Sequence, residues 1–170
     1  PVMLPTLVTV KPYAVDSVTA TSGGNIIDDG GMPVTVRGIC WSTTPNPTTA
    51  LTTKINNATG GIGLYTNIIA GLSPGTKYYV RAYAINSKGT AYGNLDSLKT
   101  MAVRPTVSDV VMSNLTDSSG VSNATVIYDG GDAVTDRGFC WNTTGIPTLS
   151  DHVLPLGTGI GAIKDTLYNL

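Results

Sequence analysis

Apolar and polar residues alternate with a period of two along most of this chain, in short runs that turn signals separate. Runs of this kind, bounded by Gly, Pro, Asn and Asp, are typical of an all-β sandwich or barrel. Gly23 and Gly24 interrupt the second run and predict a bulge or a bend there. In the first part of the chain the runs predict strands at 6–10, 17–27, 34–42, 64–69, 78–85 and 92–99, with Ile55 on a short edge strand.

The pattern then returns a second time, with its motifs at a constant offset. Arg37-Gly38-Ile39-Cys40-Trp41 recurs as Arg137-Gly138-Phe139-Cys140-Trp141, and Asp29-Gly30-Gly31 recurs as Asp129-Gly130-Gly131, both 100 positions later. A unit of this length can bury a core of its own, so the sequence predicts an array of like domains rather than a solenoid. The predicted organisation is the end of a preceding linker at 1–4, a first repeat at 5–100, a linker at 101–104 and a second repeat at 105–170.

The second repeat stops short of the first. Leu72 returns as Leu170, the last residue of the sequence, so the second repeat has no counterpart of 78–99. The loss of two strands is expected to leave an unpaired sheet edge and to expose the apolar side chains beneath it, namely Phe139, Trp141, Ile163 and Leu167. We expect the polypeptide to continue beyond this point. The alternatives are a neighbouring chain that supplies the strands and a repeat that is stable in a shortened form.

Period two divides the third predicted strand into two faces, and comparison of the repeats indicates which face is buried. Ile39 returns as the larger apolar Phe139, whereas Val36 on the opposite face returns as Asp136. A buried face would not tolerate that charge, so we predict that the Ile39 face packs in the core. The core positions predicted in this way are Ile39, Trp41, Tyr65, Ile69, Leu72, Phe139, Trp141, Ile163 and Leu167.

Composition narrows the class of protein. The formal net charge is −1, charged residues make up 12%, and every acidic residue is Asp, without a single Glu or Gln. Because Glu and Gln favour helices, whereas Thr suits strands and Asn and Gly suit turns, we expect almost no helix. The ten Lys and Arg are scattered along the sequence, which argues against a nucleic-acid partner. No apolar run is long enough to cross a bilayer.

The two cysteines occupy the same position in successive repeats. Cys40 and Cys140 are therefore expected to lie one domain apart, too far for a disulfide, which needs Cα atoms within roughly 7 Å. Each is predicted to be a small buried thiol in its strand.

Motifs for catalysis do not occur in the sequence. The single histidine, His152, has no second His, no Glu and no pair of cysteines near it, and it is predicted to be an ordinary loop residue. The Gly-rich stretch 157–161 corresponds to a hairpin region of the first repeat, which predicts a turn rather than a phosphate-binding loop. We expect no enzymatic activity and no cofactor.

Two aspartates are candidates for a calcium site. Asp29 and Asp129 stand in the Asp-Gly-Gly turns, with Asp28 and Asp132 beside them, and calcium prefers oxygen ligands. Turn formation explains the same residues, because Asp side chains bond to nearby backbone and Gly supplies a positive φ. The replacement of Asp28 by Tyr128 in the second repeat favours the turn over the metal.

The segment from Leu72 to Gly89 resembles the fibronectin type III family. It contains a Leu-x-Pro-Gly-Thr-x-Tyr corner, a strand of alternating apolar residues and a closing Asn-x-x-Gly. The resemblance implies tandem immunoglobulin-like β-sandwiches, of which the second is incomplete, with Tyr78 as a corner tyrosine whose hydroxyl bonds to backbone. The family's usual Trp on the second strand is absent here, and Trp41 is expected to fill that space.

The resemblance also orients the strand at 78–85. Tyr78, Val80, Ala82 and Ala84 are implied to point into the core. Tyr79, Arg81, Tyr83 and Ile85 are implied to point outward. Tyr and Arg are enriched at binding hot spots, so Tyr79, Arg81 and Tyr83 are candidate surface contacts. The alternative is that these long side chains only support the neighbouring strands.

The Asp-Gly-Gly-x-Pro turn and the Arg37–Thr43 motif resemble a divergent subgroup found in very large surface proteins of Bacteroidota. This implies a non-enzymatic stalk or adhesin segment, secreted to the outer surface of a Gram-negative bacterium for gliding or attachment. The expected partners are neighbouring repeats of the same polypeptide, with identical chains or surface glycans and proteins as further candidates. The alternatives are a subunit of a polymerised surface filament, completed by a neighbouring chain, and a spacer module of a secreted polysaccharide-degrading enzyme.

Overall fold

The computed structural model describes residues 1–57 and 59–170, and over these residues the protein is all-β, with no helix. The prediction of an all-β fold is confirmed, and every strand pairing is antiparallel. The chain divides into two compact units, Pro1–Ala102 (unit 1) and Val103–Leu170 (unit 2).

The strands follow the turn signals of the sequence closely. Those of unit 1 are β1 (Thr6–Tyr13), β2 (Thr19–Asp28), β3 (Val36–Ser42), β4 (Lys54–Asn57), β5 (Gly63–Ala70), β6 (Lys77–Asn86), β7 (Gly89–Tyr92) and β8 (Asp96–Lys99). Those of unit 2 are β9 (Thr106–Val107), β10 (Val111–Ser113), β11 (Ser119–Tyr128), β12 (Gly138–Trp141), β13 (His152–Pro155) and β14 (Gly161–Tyr168).

Unit 1 consists of two sheets that share one core. One sheet has the order β1-β2-β5, and the other has the order β4-β3-β6-β7, with β8 also paired to β6. Both sheets contribute side chains to a single apolar cluster, so unit 1 is a β-sandwich. Tyr78 borders this cluster, and its hydroxyl accepts a hydrogen bond from the Ser73 N–H at 3.0 Å.

The predicted core positions of unit 1 are buried or packed against the core. Ile39, Ile69 and Val80 are fully buried, and Tyr65 and Leu72 are nearly so. Trp41 and Tyr78 are half-buried against the same cluster.

The last predicted strand of unit 1, at 92–99, is in fact two strands. β7 ends at Tyr92 and β8 begins at Asp96, because the backbone between them turns away to contact β1. There Asn94 Oδ1 accepts a hydrogen bond from the Thr9 N–H at 2.9 Å, and the Thr9 hydroxyl donates to the Asn94 carbonyl. The prediction of one continuous strand was wrong because this cross-sheet contact is not visible in local sequence.

The predicted bulge at Gly23 and Gly24 does not occur. Both residues pair in regular register with β5. They also pair with Thr9 and Val10 of β1, and the register shift next to them lies on β1, between Val10 and Tyr13. A Cβ at Gly24 would lie 2.5 Å from the Tyr65 hydroxyl oxygen, and one at Gly23 would lie 1.9 Å from the Tyr65 carbonyl oxygen. The two glycines are therefore explained by the close approach of β5 rather than by a bend.

Unit 2 repeats the plan of β1 to β5, with the counterpart of β1 divided into β9 and β10. Its sheets are β10-β11-β14, with β9 also on β11, and the pair β12-β13. Ala124, Phe139, Ile163 and Leu167 form a small buried core. Trp141 is half-buried beside it, together with Leu154 and Leu156.

The expectation that the apolar residues of unit 2 would be exposed was wrong. Phe139, Ile163 and Leu167 are only 4–6% exposed, since they pack on one another and on Trp141 and Leu154. The expected free edge is present: among the described residues β12 pairs with β13 alone, whereas its counterpart β3 pairs with both β4 and β6.

Candidate functional site

The candidate site is the side of the sheet β4-β3-β6-β7 in unit 1 that points away from the core, here called the outer face. Alternation along β6 directs Val80, Ala82 and Ala84 into the core, so Lys77, Tyr79 and Arg81 belong to the outer face. Tyr79 and Arg81 are half-buried and Lys77 is exposed. Two of the three candidate contact residues therefore lie at a surface.

The third candidate, Tyr83, is not a surface contact, and its prediction was wrong. It has the outward orientation but is only 1% exposed. Its ring lies over Gly38, directly opposite on β3, and its hydroxyl crosses to β4 to donate to the Ile55 carbonyl at 2.9 Å, with Asn56 Oδ1 also in contact. Burial raises the Tyr83 pKa to about 12. The lack of a side chain at Gly38 opens the space that the tyrosine fills.

Arg81 is held in a defined orientation on the outer face. Its guanidinium carbon lies 4.6 Å from the centre of the Tyr92 ring, on the neighbouring strand β7. Its Nε donates to the Gly93 carbonyl at 3.2 Å. Tyr92 is itself fixed, because its hydroxyl accepts from the Thr49 N–H at 3.0 Å. These contacts restrict the Arg81 side chain before any partner binds.

Three lysines accompany Arg81 on the outer face. Cys40 on β3 pairs with Lys54 on one side and with Arg81 on the other, so these three residues lie in one row across the sheet. Lys99 pairs directly with Lys77. The Lys77 ammonium lies 5.0 Å from the centre of the Tyr79 ring. The expectation that the basic residues are scattered was therefore wrong for this sheet, because pairing brings four cations from three strands to one side.

The alternation along β6 could have predicted that Lys77 lies on the outer face, since residues 77, 79 and 81 all point to the same side of the strand. Lys54, Tyr92 and Lys99 could not be found in the same way. Their membership depends on which strands pair and in what register, and a sequence pattern does not contain that information.

Cys40 lies beneath this group of cations. The thiol is fully buried, and burial raises its pKa to about 11, against which nearby Arg81 and Lys54 act only weakly. Cys140 is only half-buried, so the prediction of a buried thiol in each repeat was wrong for unit 2. Its β12 lacks a described strand on the side where β6 covers Cys40.

The two calcium candidates bond to their own turns. Asp29 Oδ1 accepts from the Gly31 N–H at 2.9 Å, and Asp129 Oδ1 accepts from the Gly131 N–H at 2.8 Å. Within residues 1–57 and 59–170, no three His, Cys or Asp side chains are grouped in a way that could hold a metal ion.

His152 begins β13 rather than lying in a loop, so that prediction was wrong. It pairs with Trp141 across the strands, and the two rings are stacked with centroids 5.5 Å apart. The aromatic contact explains its place in a strand. The Gly-rich stretch 157–161 is irregular until its last residue, where β14 begins, and Gly157 and Gly159 have positive φ.

The free edge of β12 is bordered by two shallow depressions in unit 2. One, of about 150 Å³, is lined by Asp136, Arg137, Gly138, Phe139, Cys140, Leu149, Val153 and Pro155. The other, of about 380 Å³, is lined by Arg104, Pro105, Val107, Val126, Val134, Asp136, Arg137, Gly138 and Ile163. The first spans β12 and β13, on the side where the Tyr83 ring lies over Gly38 in unit 1, and the second lies on the inward side of β12, next to the buried Val126 and Ile163.

No protein-family model matches the chain, and no curated protein matches it. In the part of the chain that the structure describes, no helix is long and apolar enough to span a membrane.

Proposed function

We propose that this chain is a structural and adhesive segment of a long extracellular repeat protein, without enzymatic activity. The observation that supports it best is the recurrence of one strand plan in both units. β2 and β11 have the same length and start 100 residues apart, and β5 and β14 likewise start 98 residues apart. Arrays of this kind act through length and surface rather than through a single cavity.

A shared internal contact supports the same proposal. Arg37 Nη1 donates to the carbonyls of Gly61 and Ile62, at 3.3 and 3.2 Å. In unit 2, Arg137 Nη1 donates to the corresponding carbonyls of Gly159 and Ile160, at 3.3 and 2.9 Å. An arginine thus ties the loop before β5 to β3 in unit 1, and the residue before β12 likewise ties the loop before β14 in unit 2, as expected for repeats that fold as separate modules.

Labelling of intact cells tests the extracellular assignment. An antibody raised against residues 1–170 is applied to whole and to permeabilised cells of the source organism, with a cytoplasmic protein as the control for leakage. We expect the whole cells to be labelled as strongly as the permeabilised ones. Labelling that requires permeabilisation would contradict the proposal.

The free edge of β12 favours a second candidate function, acceptance of a strand from a neighbouring chain. Seven residues of β6, Tyr79–Ile85, pair with β3 in unit 1, whereas among the described residues β12 has no strand on that side, and a depression lies on each of its two faces. Main-chain pairing along such an edge is a recurrent mode of assembly. We expect sedimentation of the purified 1–170 chain to show concentration-dependent oligomers. Cys140→Pro would weaken them, because alternation from Arg137, whose backbone bonds to the β13 side, directs the Cys140 N–H to the free edge. A chain that stays monomeric at high concentration would exclude this candidate.

A further inference from the structure

The two units carry opposite charge, although the whole chain is nearly neutral. Unit 1 has seven Lys and Arg against four Asp, a net charge of +3, and unit 2 has three against seven, a net charge of −4. These values add to the −1 of the full sequence. The excess of positive charge in unit 1 is concentrated on the outer face, at Lys54, Lys77, Arg81 and Lys99.

Acidic residues do not occupy the outer face. Asp16, Asp28 and Asp29 lie outside its strands or at the end of β2, in the other sheet. Asp96 is on β8 but stands opposite Val80, which is an inward position, and its carboxylate accepts from the Ser97 N–H. The outer face therefore presents cations, and no aspartate side chain on its described strands points to the same side of the sheet.

The spacing of the cations suits an extended polyanion better than a single small anion. Lys77 and Arg81 are four residues apart on β6, which corresponds to roughly 13 Å along a strand. Lys54 lies two strands away from Arg81, which corresponds to roughly 10 Å across the sheet. One carboxylate or sulfate group cannot reach all of these sites, whereas a polymer with repeated charges can.

Arg81 provides a fixed fork for such a group. The Tyr92 ring and the Gly93 carbonyl position its guanidinium, and the described residues give its two terminal nitrogens no hydrogen-bond partner. A guanidinium with both terminal nitrogens available binds carboxylate or sulfate oxygens in a bidentate manner. The surrounding lysines then add charge without strict geometry.

The tyrosines of the outer face favour a polysaccharide over a nucleic acid. Single-stranded nucleic acids need open aromatic faces on which bases stack. Here one face of Tyr92 is covered by Arg81, and one face of Tyr79 is covered by Lys77. The rings serve to hold cations, which favours a polymer recognised by its charges.

We propose that the outer face of unit 1 binds an anionic polysaccharide, through its carboxylate or sulfate groups. The choice of a polysaccharide rests on the proposed extracellular function, whereas the cationic surface does not depend on it. Binding would give this segment an adhesive surface along its side.

The test measures binding of the full 1–170 chain to polygalacturonate, dextran sulfate, neutral dextran and single-stranded DNA by biolayer interferometry at two salt concentrations. The site variant is Lys77→Gln/Lys99→Gln. The matched control is Lys11→Gln/Lys88→Gln, which removes the same charge from exposed lysines outside the outer face. Unchanged urea midpoints show that both variants are folded.

We expect binding to at least one charged polymer, weakened by salt, and little binding to neutral dextran. The site variant should lose roughly threefold to tenfold in affinity, and the control less than about twofold. The comparison of polygalacturonate with dextran sulfate shows whether carboxylate or sulfate is preferred. Arg81→Lys keeps the charge but should still weaken binding, because the bidentate fork is lost.

Three results would overturn the proposal. Equal losses in the site variant and the control would mean that only net charge matters. Equal binding to neutral dextran would exclude recognition of charge. Binding to single-stranded DNA without binding to either charged polysaccharide would show that the ligand is a nucleic acid rather than a polysaccharide. None of these results depends on the cell-labelling experiment, so a failure of the binding site is distinguishable from a failure of the extracellular assignment.

Discussion

At the scale of single residues, several side chains have roles that differ from those of their sequence neighbours. Tyr83 shares its strand face with Tyr79 and Arg81, yet it is buried because Gly38 leaves room beneath its ring. Tyr65 reaches the opposite sheet, where its hydroxyl donates to the Gly38 carbonyl at 2.8 Å. Gly38 is thus in contact with a tyrosine on each side of its sheet, Tyr83 on the outer side and Tyr65 on the core side.

The two cysteines provide a test at this scale. The Cys40 pKa of about 11, against an ordinary value of 9.0, reduces its thiolate about a hundredfold near neutral pH, and burial blocks access as well. In Cys140→Ser, we expect Cys40 to react slowly with iodoacetamide, with a rate that rises until the pH approaches 11. In Cys40→Ser, the half-buried Cys140 should react much faster. Mass spectrometry of the alkylated chain measures both rates.

Full reaction of Cys40 in urea would show that the thiol is intact and that folding protects it. Rapid alkylation of Cys40 in the native Cys140→Ser variant would contradict its burial.

At the scale of elements, the pairing of the second and fifth strands shows how the two units solve the same packing problem. Gly24 pairs with Tyr65 in unit 1, and at the equivalent register Ala124 pairs with Ile163 in unit 2. The residue without a side chain stands opposite the large ring, whereas the residue with a methyl group stands opposite a smaller side chain. In both units the two side chains of the pair share one space between the strands, so a larger residue on one strand requires a smaller one on the other.

This complementarity predicts a non-additive pair of substitutions. Gly24→Ala should destabilise unit 1 by about 1–3 kcal/mol, because its Cβ would meet the Tyr65 hydroxyl and the Ala82 side chain. Adding Tyr65→Ile, which recreates the pair of unit 2, should make Gly24→Ala cost less than it does alone. Urea unfolding of the four proteins in the cycle measures the coupling. Additive losses would show that the ring does not set the requirement for glycine.

At the scale of the whole molecule, the strands of each unit find their partners within that unit. All pairings of β1 to β8 lie between residues 6 and 99, and those of β9 to β14 lie between 106 and 168. Each unit also has its own apolar cluster. Folding in separate cooperative steps follows from this division.

We therefore expect a 1–102 fragment to fold and to unfold cooperatively in urea. Each unit contains one tryptophan, so Trp41 fluorescence reports unit 1 alone in the fragment and in a full chain with Trp141→Phe. The smaller core of unit 2 predicts that Trp141, followed in Trp41→Phe, reports an earlier transition. A fragment without a cooperative transition would show that unit 1 does not fold independently.

The sequence by itself determined the features that depend on neighbouring residues. Alternation of apolar and polar positions predicted the strands, Asp-Gly-Gly predicted the turns, and repetition of Arg37–Trp41 as Arg137–Trp141 predicted a second unit of the same kind. Substitutions between the repeats identified inward positions such as Ile39 and Phe139, since both copies must bury the same face.

Only the tertiary structure decided the features that depend on strand pairing. The burial of Tyr83, the regular register at Gly24 and the gathering of Lys54, Arg81 and Lys99 all involve residues that are distant in sequence and adjacent across a sheet. A period of two states which side of a strand a residue occupies, but not which strand lies beside it. The outer face, and the ligand class proposed for it, are therefore products of the register rather than of any one segment.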